Sequence, residues 1–338
     1  SYMKLDTIAD DTIEGIEKKR KTYEELVKSS GYLYGHLLAD SWCAAFVWNK
    51  TKEMCEQGLP PITEDTFRRI ERSPFSVSPK VRDEIKRLAN EYQFFHWHLE
   101  FPDVFPAEGS REEGSEEREK ERGSQEQKKE RGSRGQEPAD SESSLLPPVP
   151  HSLPPFLPSP GFDVVLGNPP WETLEFKEKE WFASIGTDIA EASTETRKRL
   201  IQKLYRDNPP LFANYKKALQ ISDGERHLIR DTCRYPLCAR GKINTFSIFA
   251  ELNRNILNPR GRVGCIVPSG IATDDTTKFF FQDLIVRGSL VSLYSFENEE
   301  FVFPEIHHAT KFCLLTMGAS DCKTQCAADF VFFARQVE

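Results

Sequence analysis

The residues best suited to chemistry are Asn168-Pro169-Pro170-Trp171, which follow the apolar run Phe162 to Leu166. Two prolines fix the backbone and supply no amide hydrogen, so this turn presents carbonyl oxygens rather than donors. An amino nitrogen conjugated to a purine ring is a poor nucleophile because its lone pair is delocalised into the ring. The Asn168 side-chain oxygen and the Pro169 carbonyl could each accept one of its two hydrogens, aiming the lone pair at an electrophilic methyl group without a strong base. Trp171 offers a flat face for an extruded base. Four residues alone also fit a proline turn with an aromatic packed beneath it.

The elements around the turn are those of an α/β protein. Phe162 to Leu166 reads as a buried parallel strand, and ligands of open α/β sheets sit beyond the carboxyl ends of strands. A helical stretch from Trp171 through Tyr205 follows. The apolar spacing of Phe246, Phe249, Leu252, Ile256 and Leu257 predicts a helix over 245–257, stopped by Asn258-Pro259-Arg260-Gly261. Arg262 to Val267, Leu290 to Phe296 and Lys311 to Met317 read as strands, with a helix over 279–285. The alternation predicts a doubly wound sheet. Ahead of it, residues 1–106 read as an α-helical region closing on the aromatic block 94–105. Residues 107–160 are charged and then proline-rich and cannot bury enough apolar area to fold, so they read as a disordered insertion. Residues 161–338 form the remaining unit.

Several ordered blocks together resemble a known family, the adenine-N6 amino-methyltransferases, and most closely the fused restriction-modification (type IIG) enzymes and related phage-defence methyltransferases. The blocks are Phe95-His96-Trp97-His98-Leu99-Glu100-Phe101-Pro102-Asp103-Val104-Phe105, the Phe162-Asp163-Val164-Val165 strand with Asn168 to Trp171, the helix from Thr245, Gly261 to Gly270, and Phe296-Glu297-Asn298 leading to Phe303-Pro304 and Lys311-Phe312. The resemblance implies a partial Rossmann-like methyltransferase sheet containing the later strands, S-adenosyl-L-methionine as cofactor, and double-stranded DNA with a flipped adenine as partner. By position it implies that Asn168 and Pro169 hold the target amino group and Asn168 also borders the cofactor. Pro170 shapes the turn, Trp171 stacks on adenine, and Phe303 or Phe296 adds an aromatic to the base pocket. Core packing suits Phe303 equally well.

The family's glycine-rich cofactor turn is missing upstream of Gly161. Ser30-Gly31-Tyr32-Leu33-Tyr34-Gly35 lies in a helical pattern and is rejected for that role. Some twenty residues follow Met317, too few for a target-recognition domain. The chain is therefore expected to be a fragment whose partners include the missing amino-terminal methyltransferase half and that domain. Alone it should leave a sheet edge uncovered and bind the methyl donor weakly. No acidic pair with a nearby lysine suggests a nuclease. The alternatives are an inactive, scaffolding fragment, or a methyltransferase acting on RNA or on protein glutamine.

Composition sets further bounds. The 338 residues are 38% hydrophobic and carry a formal charge of −8, unusual for a DNA-binding surface, although much of the charge lies in the tract from Glu108 to Glu142. No apolar stretch is long enough for a membrane span and no export pattern opens the chain, which implies a cytoplasmic protein. Eight scattered cysteines lack paired Cys-x-x-Cys spacing and read as reduced thiols. No metal site is expected. His96 and His98 alternate as on one face of an extended segment, and they and His307-His308 read as satisfied or exposed. Asp274 and Asp275 read as helix caps. Arg254, Arg262, Arg287 and Lys311 are candidates for phosphate contacts, with plain solvation as the simpler role.

Overall fold

The computed structural model describes residues 5, 7–105, 161–186, 188–319 and 327–336. The expected insertion at 107–160 lies outside them. In the amino-terminal region the helices α1 (Ile13–Val27), α2 (Ser30–Val47), α3 (Lys52–Glu56), α4 (Glu64–Arg72) and α5 (Pro79–Tyr92) each start behind a serine or threonine. Thr12, Ser29, Thr51, Thr63 and Ser78 accept an amide hydrogen from the first turn, satisfying donors that a helix leaves orphaned. Val81, Ile85 and Leu88 recur at helical spacing and are buried against Ala44, Val47 and Ile70. The short α6 (Trp97–Glu100) corrects the extended reading of His96 and His98.

The stretch expected to be helical from Trp171 through Tyr205 is so only in part. An isolated bridge pairs Thr173 with Asn244, and helices follow as α7 (Glu178–Ser184), α8 (Thr194–Asp207) and the long α9 (Pro209–Asp231). Helix α9 returns to the amino-terminal region and packs on α2. At Gly224 a Cβ would lie 2.6 Å from the Tyr92 hydroxyl, so a larger residue would have to push the end of the Tyr92 side chain aside.

Among the described residues five strands, β1 (Phe162–Gly167), β2 (Leu257–Pro268), β3 (Leu290–Glu297), β4 (Lys311–Gly318) and β5 (Asp329–Ala334), form one sheet in the order β1-β2-β4-β3-β5. Only β4 runs against its neighbours; β1 pairs parallel with β2, and β3 with β5. Helices α10 (Thr245–Asn255), α11 (Gly270–Thr273) and α12 (Lys278–Val286) lie between the strands in sequence. Helix α10 ends before Leu257, which already belongs to β2. Gly161, at φ +111°, enters β1 so close to β2 that a Cβ would stand 2.6 Å from the Asn258 nitrogen.

The core sits on one face of the sheet. Val263, Cys265 and Val267 alternate along β2 and are buried with Leu293, Cys313 and Leu315 beneath Phe246, Ile271, Phe280 and Leu284 of the three helices. The opposite face is another matter. Leu166 pairs with Gly264, Ile266 with Leu314, and Leu314 with Tyr294, and on this face Val164, Leu166 and Leu314 are exposed. Among the described residues, β1 is thus an edge strand with exposed Val164 and Leu166 rather than the buried strand its apolar run suggests. Among the described residues no helix is long and apolar enough to cross a membrane.

Candidate functional site

The carboxyl ends of β1, β2 and β3 lie along one rim of the sheet. From β1 the chain passes through Asn168, exposed, and Pro169, buried, into Pro170 and Trp171. What fixes this loop is the first residue of α10. Thr245 Oγ1 donates to the Pro170 carbonyl at 2.6 Å and accepts from the Glu172 amide at 3.0 Å, while the Thr245 amide donates to the Glu172 carbonyl at 2.8 Å. Leu174 N donates to Ile243 O at 2.9 Å, and Thr173 Oγ1 to Asn244 Oδ1 at 3.2 Å. The loop is stitched to the helix N-terminus along its length.

These bonds consume the Pro170 carbonyl but involve neither the Asn168 side chain nor the Pro169 carbonyl. Trp171 is 37% exposed and joins none of the aromatic clusters among the described residues. The corner therefore carries an exposed amide side chain and a partly exposed flat ring on a braced backbone.

The two phenylalanines lie elsewhere on the rim. Phe296 is buried at the end of β3, stacked on Phe312 with centroids 5.3 Å apart, and Phe303 meets the same Phe312 ring edge-on at 5.0 Å. Strand β3 is three strand positions from β1, about 14 Å across the sheet. Phe296 belongs to the core. Phe303 rides a loop gathered by Asn298, whose side chain donates to the carbonyls of Phe303 (3.0 Å) and Ile306 (2.9 Å) and accepts from the Phe303 amide (2.9 Å).

The four basic candidates for phosphate contact are engaged within the protein. Arg254 is 4% exposed along its side chain and bonds Asp283 at 2.7 Å, Arg287 bonds the same carboxylate at 2.8 Å, Lys311 pairs with Glu297 at 3.0 Å, and Arg262 donates to the Gly261 carbonyl at 3.0 Å. Asp274 caps no helix start: Thr277 precedes α12, and Asp275 pairs with Lys278 instead. Ser30 to Gly35 lie inside α2, in keeping with their rejection as a cofactor turn. Among the described residues no group of His, Cys, Asp and Glu could hold a metal ion, and Cys43, Cys55, Cys233, Cys238, Cys265 and Cys313 are unbridged.

Two features escaped the sequence reading. Thr245 was recognised only as the start of a helix, and its bond to Pro170 spans 75 residues. The buried His96 ring donates to the Asp40 carboxylate at 2.8 Å across 56 residues. No protein-family model and no curated protein matches the chain.

Proposed function

We propose that this chain is the adenine-docking half of an S-adenosylmethionine-dependent DNA adenine-N6 methyltransferase of a restriction-modification or phage-defence system. The observation that carries the reading is the braced Asn168 to Trp171 corner at the carboxyl end of β1, with its acceptors uncommitted by the bonds to Thr245. Asn168 and Pro169 hold the amino group of a flipped adenine and Trp171 stacks on the base. Phe303 reaches the pocket only from the far side of the rim, so its contribution is secondary, and Phe296 has a packing role.

The residues present fit only one wall of a cofactor pocket. Among the described residues no glycine-rich turn after a strand precedes β1, and no strand pairs with the outer edge of β1. The cofactor would supply the methyl group when bound. The open edge and apolar open face of a mainly one-directional sheet support a second polypeptide segment, carrying further strands and helices, as the missing half. Sheets of this kind are ordinarily covered on both faces.

The same uncovered edge also favours a scaffolding fragment without activity. Transfer of labelled methyl groups to adenine in duplex DNA by a longer polypeptide containing this chain separates the two readings. Methylation abolished by Asn168→Ala is the expected result; no transfer from the unsubstituted protein would sink the enzyme. RNA and glutamine-containing peptides in parallel reactions test the other substrates. Calorimetry on the chain alone should show no tight binding of S-adenosylmethionine.

A further inference from the structure

A second site lies at the other end of α10. Asn255 is ten residues beyond Thr245, about 15 Å along the helix axis, and it borders a cavity of about 480 Å³ shared with the aromatic block. Phe95 and Trp97 form one side, with ring centroids 5.0 Å apart. Tyr235 and Phe249 form another, and Phe249 keeps 40% of its surface exposed. The volume falls within the roughly 300–1,000 Å³ of small-molecule sites, and the aromatic lining suits a planar ring.

The cavity lining carries one guanidinium, Arg234, with two imidazoles beside it. His96, His98 and Arg234 line it, and no Asp or Glu does so among the described residues. The Arg234 guanidinium lies 4.3 Å from the Trp42 ring centroid, which fixes its plane. Behind the same three residues a larger cavity, about 820 Å³, contains Glu64 and Glu71, but both are paired with Arg68. Asp40, which lines neither cavity, is bonded to His96. Burial depresses the His98 pKa, and His96, Arg234 and His36 depress it further by like-charge repulsion. An anion here would relieve that repulsion.

We propose that the cavity bounded by Trp97, Phe249, His98 and Arg234 binds a small aromatic anion, a planar ring carrying a phosphate or carboxylate. The ring lies among Phe95, Trp97, Tyr235 and Phe249, and the anionic group faces Arg234 and His98. This site is independent of the Asn168 corner and stands or falls apart from it.

Calorimetry on the full chain with adenosine 5′-monophosphate and with indole-3-acetate, against adenosine and indole, tests the proposal and tells the two anions apart. At least one anion should bind about ten-fold or more tightly than its uncharged counterpart. Arg234→Gln should remove that preference. Because Arg234 packs on Trp42, Phe249→Ala provides a second variant at a half-exposed position; it should weaken the anion without lowering the melting temperature. The His98 ring should titrate at higher pH in the complex, and Asn168→Ala should leave affinity unchanged. No binding of either anion, equal binding of charged and uncharged ligands, or loss of binding with Asn168→Ala would each overturn the proposal.

Discussion

The hydroxyl of Thr245 stands 2.6 Å from the carbonyl oxygen of Pro170 and 3.0 Å from the amide nitrogen of Glu172. One side chain at the head of α10 thus grips the loop on both sides of Trp171. Thr245→Val keeps the branched shape and removes both bonds, at a cost of about 1–2 kcal/mol. Amide exchange at Glu172 should accelerate by about ten-fold, as an opening free energy lowered by roughly 1.4 kcal/mol requires. Thr245→Ser should behave as the native protein. Unchanged exchange in the valine variant would mean that the prolines alone hold the loop.

Asn298 serves the corresponding purpose at the end of β3. Buried completely, it satisfies two carbonyls and one amide of the loop that presents Phe303. Asn298→Ala leaves those groups without their partner and should cost about 2 kcal/mol. Asn298→Asp keeps the size but its carboxylate cannot donate to the Phe303 and Ile306 carbonyls, so it should be destabilised too at neutral pH. Urea unfolding of both variants checks the cost, and exchange at the Phe303 amide checks its location. Stability equal to the native protein in both would show that the loop holds itself.

The strands β1, β3 and β4 and the part of β2 from Arg262 were legible because each is an apolar run bounded by turn residues. By contrast Leu257 to Gly261, read as a helix end and its stop, already belong to β2. Strand β5 was not read at all. Its residues Asp329 to Ala334 lack alternation, and its place beside β3 is decided by pairing with distant residues. The same limit explains the error about β1. An apolar run reports what the side chains prefer, whereas the exposure of Val164 (60%) and Leu166 (77%) depends on whether anything lies beside them. The site divides likewise. Asn168 to Trp171 is local and readable, but the Thr245 brace and the Asp40–His96 pair join residues far apart in the chain. Arg254 looked like a surface cation until its place under α12 brought Asp283 to it.

Glu251 couples stability to pH. Its carboxylate is buried and accepts the Leu237 and Cys238 amides at 3.2 and 2.9 Å. Burial raises its pKa above the usual 4.5, and the two amides and Arg254 offset this only in part. The folded protein therefore retains this proton at pH values where the unfolded chain has lost it. Stability declines as pH rises from the unfolded pKa through the folded one, and the loss persists above. Glu251→Gln keeps an oxygen for only one amide and should begin less stable. The difference in unfolding free energy between native and variant should nonetheless shrink as pH rises past about 4.5. Parallel pH profiles in urea would show that Glu251 does not change its proton on unfolding.

The open face gives the last test. Leu166 lies over Gly264, and Leu314 is its apolar neighbour two residues along the β2–β4 pairing. On a sheet covered on one side only, these side chains and the free edge of β1 form a template for another strand. The chain alone should self-associate, with an apparent mass that rises with concentration in sedimentation. Leu166→Lys places a charge where no core contact is lost, so stability should change by less than about 0.5 kcal/mol. The charge should also suppress association, because pairing would desolvate it. A longer polypeptide that covers this face should tolerate the lysine poorly, with a melting temperature several degrees below its native form. If the lysine unfolds the chain alone, or leaves its association untouched, Leu166 is not the exposed contact that the structure presents.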